Sequence, residues 1–409
     1  MPRIVHYNKG SISYFTGDVS DNVFILQKGS VVLSSKDIET GEAVTERIKP
    51  GEFFGVKSAM GHFPREETAS VVEDSDVVLL ALPEFEKIFM GNKDLMLKML
   101  KAFSGQLRKI HRKIDDILYV APVQPSFGML SVAKSFYNDE HYRSCCDICE
   151  KILKRFPNME TKNEVCTLYN NAKIRYEKLK DLEVADEDSE SNEKAMDKAF
   201  LSGFERFSKT YEKGQVIISE FEPGDTFYLI QSGEVQLIKC VNDGKKNLDI
   251  LKAGEFFGEM AILDNSPRSA TCVAKTKVQC LEFSKENFST LISGTPQLAF
   301  NLLRLFCKRI YDQKRRFRIL VIKDPYVRVA DVFMLLYELN PDAAVNSREC
   351  RFKVTVDDIA QWAGLSKEIT RNEIDKFVEK HKIKIYDDVI AVYNISEMKR
   401  VVDYSIILH

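Results

Sequence analysis

The densest run of chemistry-bearing residues is Gly254-Glu255-Phe256-Phe257-Gly258-Glu259-Met260-Ala261, resuming at Pro267-Arg268-Ser269-Ala270-Thr271. Glycine lets the backbone approach a bound group, and a short helix beginning after Gly258, through Met260 and Ala261, would point free N–H groups at an anion. Arg268 offers a planar fork of donors, Ser269 a hydroxyl, and Glu259 an acceptor. The competing reading is an Arg268–Glu259 ion pair that merely closes a loop.

Much of this run occurs twice. Gly-Glu-Phe-Phe-Gly stands at 51–55 as well as 254–258, and Pro-Arg at 64–65 as well as 267–268. Upstream, Asp21–Gly29 matches Asp225–Gly233 without a gap, the offset changing only from 204 to 203 residues. The copies therefore differ by one residue in one hairpin. The first copy keeps Arg65, but Val56 stands in place of Glu259, Lys57 follows it, and Glu66-Glu67 replace Ser269-Ala270. Two outcomes are open for it: a purely structural loop, or a site for a different anion using Lys57, Ser58 and Arg65.

The elements that position these runs are short alternating strands such as Val31–Ser34 and Val235–Ile238, punctuated by glycines, the pattern of an antiparallel barrel or roll. Each copy then turns helical. Leu100, Phe103, Leu107, Ile110, Ile114 and Ile117 recur at steps of three and four, as do Leu303, Phe306, Ile310, Gln313, Phe317 and Leu320. That spacing makes a coiled-coil seam, and a helix packed on its own roll gives a similar stripe. The expectation is a homodimer joined through the second helix.

The second run closely resembles the phosphate-binding cassette of cyclic-AMP-receptor-type domains, and the resemblance extends over the whole copy. It implies that Arg268 and Ser269 hold the exocyclic phosphate of a cyclic nucleotide, with cyclic AMP the expected effector, and that Glu259 accepts from the ribose 2′-OH. Carried over in register, Arg309 and Gln313 fall where family members contact ligand. The family's usual hydroxyl pair is replaced by Gln313 and Lys314, and Gln313 could instead be a buried polar residue fixing coiled-coil register. Lacking the ribose acceptor, the first copy is expected to bind a cyclic nucleotide poorly.

Between the copies, 127–157 reads as two helices joined around Asn138-Asp139, with Ala133, Tyr142, Cys145 and Pro157 at tetratricopeptide-like spacing, and Glu164–Leu179 as a third. A lone repeat makes no solenoid, so this is a spacer, with a surface open to a protein partner. Asp181–Lys194 holds seven acidic residues and one lysine, a solvated linker.

Past Asp324 the pattern is a helix over Val327–Leu339, a strand over Arg351–Val354, and a helix opened by Thr355-Val356-Asp357-Asp358. Gly364 then turns the chain, Ser366 caps a helix over Lys367–Glu379, and Lys382–Tyr386 with Val389–Tyr393 form a hairpin. This resembles the winged helix of the Crp/Fnr transcription regulators. The resemblance implies a second helix in the major groove, with Ser366, Lys367, Glu368, Arg371 and Asn372 toward base edges. A dimer would then read double-stranded DNA half-sites about 34 Å apart. The family differs at three positions, commonly having arginine at Asn372 and apolar residues at Thr370 and Glu373. Residues 325–409 carry 12 Lys/Arg against 14 Asp/Glu, so phosphate contacts fall to Lys353, Arg371, Lys382 and Lys384. Trp362 is read as core.

The fold expected is α+β: two double-stranded, jelly-roll-like β-rolls each followed by a long helix, a tetratricopeptide-like spacer, and a winged helix-turn-helix. The boundaries are 1–120, 121–180, 181–197 (linker), 198–324 and 325–409. Over 409 residues the net charge is −2, so nothing global draws the chain to nucleic acid or acidic membranes. No basic-then-apolar leader begins it and no apolar run approaches the ~18 residues of a membrane span, so a cytoplasmic location is expected. The nine cysteines, Cys146-x-x-Cys149 included, read as reduced core residues rather than a metal site. No nucleophile–base pair or triphosphate loop suggests an enzyme. The rival reading is a nucleotide-binding signalling adaptor whose spacer and winged helix contact proteins.

Overall fold

In the computed structural model the described residues are 2–118, 124–183, 205–241, 244–264, 266–339, 343–346, 349–386 and 389–407. The first copy lays down β1 (Arg3–Tyr7), β2 (Ile12–Tyr14), β3 (Val23–Lys36), β4 (Ala43–Ile48), β5 (Phe53–Phe54), α1 (Val56–Gly61) and β6 (Thr68–Leu80). All pair antiparallel, in the order β1-β6-β3-β4, with β2 on β6 and β5 on β3. The expected strand Val31–Ser34 is the far half of β3, which continues through Gly29 instead of stopping there. Gly29 has φ +92°, and a Cβ on it would lie 2.2 Å from Ser75 Oγ. Only glycine lets β3 pass its neighbour this closely.

The second copy follows the same path with its long strands divided: β7 (Ser208–Tyr211), β8 (Val216–Ile218), β9 (Thr226–Ser232), β10 (Val235–Val241), β11 (Gly244–Leu251), β12 (Phe256–Phe257), β13 (Thr271–Ala274) and β14 (Val278–Ser284). They form two four-stranded sheets, β11-β10-β13-β8 and β12-β9-β14-β7. Ile217, Tyr228, Ile230, Val235, Leu251 and Phe257 fill the space between them. This is a sandwich, not a closed barrel.

After the first sandwich come α2 (Leu82–Met90) and α3 (Lys93–Ile117). The second has α7 (Glu259–Asp264) inside its cassette and is followed by α8 (Lys285–Gly294) and α9 (Pro296–Val321). The spacer is α4 (Pro125–Asn138), α5 (Tyr142–Arg155) and α6 (Lys162–Glu183). The acidic stretch beyond Glu183 lies outside the described residues. At the C-terminal end stand α10 (Pro325–Leu339), β15 (Cys350–Phe352), α11 (Val356–Ala363), α12 (Lys367–Glu379), β16 (Ile383–Ile385), β17 (Ile390–Val392) and α13 (Ile395–Ile407). The strands there order β15-β17-β16.

Contacts divide the chain into two compact units, one of residues 1–88, 109–119 and 306–409, the other of 89–108 and 120–305. In the first, Ile114 of α3 and Phe317 and Leu320 of α9 form one buried cluster, joined by Ile110, Ile117 and Leu118. The C-terminal end of the seam expected to join two subunits, Phe317 and Leu320, is thus occupied by a helix of the same chain. Sequence periodicity identifies an apolar stripe but not its partner. In the second unit, the Phe89 ring of α2 lies 5.8 Å from that of Phe300 of α9.

The spacer does not stack as a solenoid. It covers an open sheet edge, which a protein must hide or pair. Along β8, Asp147 accepts the Val216 N–H at 2.7 Å, and Lys151 donates to the Ile217 carbonyl at 2.9 Å. Val216, Ile238 and Val273 join the spacer's core, which contains Ala133, Tyr142 and Cys145. Burial raises the Cys146 thiol to about 12. A hydrogen bond to Cys149 and burial raise Cys145, so these are unreactive core thiols. Among the described residues no cluster of three or more His, Cys, Asp or Glu could hold a metal, and no helix is long and apolar enough to cross a membrane.

Burial lifts the Asp147 carboxyl from 3.8 to about 6, while its backbone bond and Arg143 and Lys151 pull the other way. The folded state then holds a proton that the unfolded chain has released, so stability falls as pH rises from about 4 through about 6. Asp147→Asn keeps the acceptor and removes the charge. It is expected to melt higher than the parent at pH 7, the gap closing by pH 4. Melting curves at both pH values check this, and a lower-melting variant at pH 7 refutes it.

Candidate functional site

In the second cassette, β12 ends at Gly258, whose φ of +80° turns the backbone into α7. A Cβ there would lie 2.8 Å from Arg268 Nη1. The Arg268 side chain is drawn inward and is 4% exposed. Its Nη1 donates to the Gly258 carbonyl at 2.6 Å and its Nη2 to Thr226 Oγ1 at 3.0 Å. Its Nε, like that of Arg65, is buried and makes no hydrogen bond among the described residues. Glu259, Met260 and Ala261 are buried around it, and Ser269 is half-buried. Of the residues expected at the site, Gly258 and Ala261 lie against the Arg268 side chain. Arg309 and Gln313 are half-buried on the part of α9 that belongs to the other compact unit.

The backbone of Arg268 is held by a loop that sequence reasoning missed. Its N–H donates to the Glu222 carbonyl at 2.9 Å, and its carbonyl accepts from Phe221 N–H at 3.0 Å. Phe221 has φ +66°, and its ring packs on Gly128 of the spacer, where a Cβ would lie 2.6 Å from the ring. The Glu222 carboxylate, 5% exposed, takes Arg155 at 3.1 Å and Lys151 at 3.3 Å, both from α5. The spacer thus grips the loop that supports the arginine. The partners lie 67 and 71 residues apart in sequence, so no local pattern points to them. Arg108 of α3 is a further missed neighbour, its Nη1 3.5 Å from the Pro267 carbonyl.

The first cassette has the same frame but is plugged. Arg65, 1% exposed, donates to the Gly55 carbonyl at 2.5 Å, Ser58 Oγ at 2.7 Å and the Asn22 carbonyl at 2.6 Å. Burial lowers its pKa, and the Tyr14 ring lies 4.6 Å from its guanidinium. Ser58, where the second copy has Ala261, is a third acceptor for Arg65, bonded to Nη1. Lys57 faces Glu66 at 3.9 Å, and Lys314 reaches Glu66 at 2.8 Å. Phe63 stacks on Tyr311 with centroids 3.9 Å apart and planes within 4°. The space left beside them is about 10 Å³, about one water. Lys57, Ser58 and Arg65 are each turned to protein groups.

At the C-terminal end, Thr355 and Asp358 form the reciprocal cap of α11, and Ser366 accepts from the Ile369 N–H to cap α12. Lys367, Glu368, Arg371 and Asn372 are exposed together, with Lys367 2.8 Å from Asp357. Thr370 and Glu373, polar at core-facing positions, are satisfied locally: Thr370 donates to the Ser366 carbonyl at 2.9 Å, and Lys376 binds Glu373 at 2.8 Å. Of the expected phosphate contacts, Lys353 and Arg371 are exposed and Lys382 pairs with Glu397 at 3.3 Å. Lys384 sits over the Tyr386 ring. Trp362 is half-buried against the core, with Arg316 over its ring.

The long helices end on this module. Gly364, at φ +62°, makes the turn between α11 and α12. A Cβ on it would lie 2.5 Å from Leu320 of α9 and 3.4 Å from Leu118, just beyond α3. Arg315 of α9 forks onto Asp331 of α10 at 2.5 and 2.8 Å and reaches Glu338 at 3.0 Å. Burial alone would depress that guanidinium; the bonds to Asp331 and Glu338 hold it above its ordinary value.

The cyclic nucleotide-binding domain family model matches this chain twice, at residues 4–92 and 208–294. The CRP-like cAMP-activated global transcriptional regulator of Mycobacterium tuberculosis is 25% identical over 191 residues, 46% of this chain and 85% of that protein. The cyclic AMP receptor protein of Thermus thermophilus is 28% identical over 195 residues, 47% of this chain and 85% of that one. A cAMP-dependent protein kinase regulatory subunit of Yarrowia lipolytica is 41% identical over 85 residues, 21% of this chain and 22% of that one. The two family-model matches show tandem cyclic-nucleotide-binding domains on one repeated frame, and relatives of this kind support the Crp/Fnr family.

Proposed function

We propose that the chain is a transcription regulator controlled by cyclic AMP bound in the second roll, with the C-terminal module acting as a winged helix that reads DNA. The observation that carries the ligand site is Arg268: buried, held by Gly258 and Thr226, with Ala261 at the position where Ser58 gives Arg65 a third acceptor. A phosphate offers this fork stronger, charge-assisted acceptors than a carbonyl and a hydroxyl. Binding would draw the arginine outward and loosen the cassette. The exits toward DNA are Leu320 on the Gly364 turn and the Arg315–Asp331 fork.

The test is a mobility-shift selection of duplex DNA by the full chain, with and without cyclic AMP. Enrichment of one motif only with ligand is expected. No motif in either condition would favour the adaptor reading, for which the acidic balance of 325–409 and the Lys367–Asp357 pair speak. The full chain is needed, because a fragment without the spacer bares the β8 edge and Val216. Arg371→Ala is expected to weaken the selected site by roughly 1–3 kcal/mol if the side chain meets a guanine edge. An equal loss on every sequence, with a shallower salt dependence, would make it a phosphate contact.

A further inference from the structure

We infer that the first roll serves as an internal dimer partner, so that one chain supplies both halves of the sensing assembly, binds one nucleotide and carries one DNA-reading head. The single-head clause rests on the DNA reading above; the internal pairing does not.

Three observations converge. The C-terminal end of the α9 seam is occupied in cis: Ile114, Phe317 and Leu320 are 4%, 3% and 2% exposed and pack with Ile110, Ile117 and Leu118. A second chain could pair through this end of the seam only by displacing α3 and baring both apolar stripes there. The long helices also reach across the repeat. Helix α9 follows the second roll, yet its Tyr311 and Lys314 meet Phe63 and Glu66 of the first cassette. Helix α3 follows the first roll, yet its Arg108 meets the Pro267 carbonyl of the second. Tyr311 and Arg108 hold the same register in their helices, since both the helices and the cassettes repeat at an offset of 203. Finally, the first cassette is closed from within by Ser58 on Arg65 and from outside by Tyr311 on Phe63. A roll whose arginine is turned onto its own chain still offers a helix and a docking face, and both are in use.

Replacing Glu66 by lysine would set it against Lys57 and Lys314, and the reversed pair Glu66→Lys with Lys314→Glu would restore opposite charges. Sedimentation equilibrium of the full chain at micromolar concentration is expected to give 46.9 kDa with and without cyclic AMP, and calorimetry one nucleotide per chain. Glu66→Lys is expected to lower the melting temperature, and the double swap to recover it. A species of twice the mass, two nucleotides per chain, or a single variant that melts like the parent would each overturn the inference. If the mass and swap results hold but no duplex binds, the internal pairing stands and the DNA reading falls. If duplex binds, one chain per site is expected, and two chains on a two-fold site overturn the single head.

Discussion

Arg268→Ala is expected to weaken cyclic AMP binding by about 2–5 kcal/mol, because it leaves a desolvated phosphate without its charged partner. The matching change Arg65→Ala is expected to leave ligand affinity untouched. The two arginines share a frame, each donating to the glycine before its short helix and to a residue where a strand begins, Asn22 just before β3 and Thr226 at the start of β9. They differ in what else holds them. Arg65 has Ser58 as a third partner, and Lys57, Glu66 and Tyr311 crowd its surroundings. Removing Arg65 therefore costs stability, not binding: the Gly55 and Asn22 carbonyls and Ser58 lose a buried donor, at about 1–3 kcal/mol for each group left unsatisfied. Calorimetry with cyclic AMP and thermal melting, run on both variants, separate the two outcomes. Equal losses of affinity would mean that both cassettes bind. No loss at Arg268→Ala would move the ligand elsewhere.

The second cassette was legible because its chemistry lies within a short stretch of sequence that occurs twice. The gapless match of Asp21–Gly29 to Asp225–Gly233 fixes the register, and the differences at Val56 and Glu66 then show which copy has departed. Helix α12 was legible to the residue, its start set by the Ser366 cap and its inner face by Ile374 and Phe377. What sequence could not supply is partnership over distance. The stripe through Phe317 and Leu320 demands an apolar neighbour, and Ile114 or a second chain would satisfy it equally. Lys151 and Arg155 look like an ordinary solvated helix face until Glu222 arrives from the next domain. Ser58 reads equally well as an anion ligand until Arg65 folds onto it. Arg108 was missed for a different reason: its match to Tyr311 is visible in the repeat register, but a register match acquires meaning only once the helices are seen to cross to the opposite cassette.

Asp331→Ala is expected to cost about 3–5 kcal/mol, the toll of leaving a buried charge without its partner. Asp331 and Arg315 are 4% and 10% exposed at their side chains, so solvent cannot substitute for either. Glu338 holds the same guanidinium from a more open position, 34% exposed, and can compensate only in part. Replacing both members of the fork with apolar residues of similar size, Arg315→Met with Asp331→Leu, is expected to recover most of that stability, since such pairs roughly balance their own desolvation. Recovery of the fold need not recover signalling. The fork ties the seam helix α9 to α10 in one geometry, while a Met–Leu contact allows sliding. A double variant that melts like the parent and binds cyclic AMP like the parent, yet no longer changes its DNA binding on adding ligand, would assign the fork to transmission. A double variant that keeps full ligand control would pass that role to the remaining link, Leu118 and Leu320 on the Gly364 turn. There Gly364→Ala, which strains a φ of +62° and drives a methyl to 2.5 Å from Leu320, becomes the decisive variant.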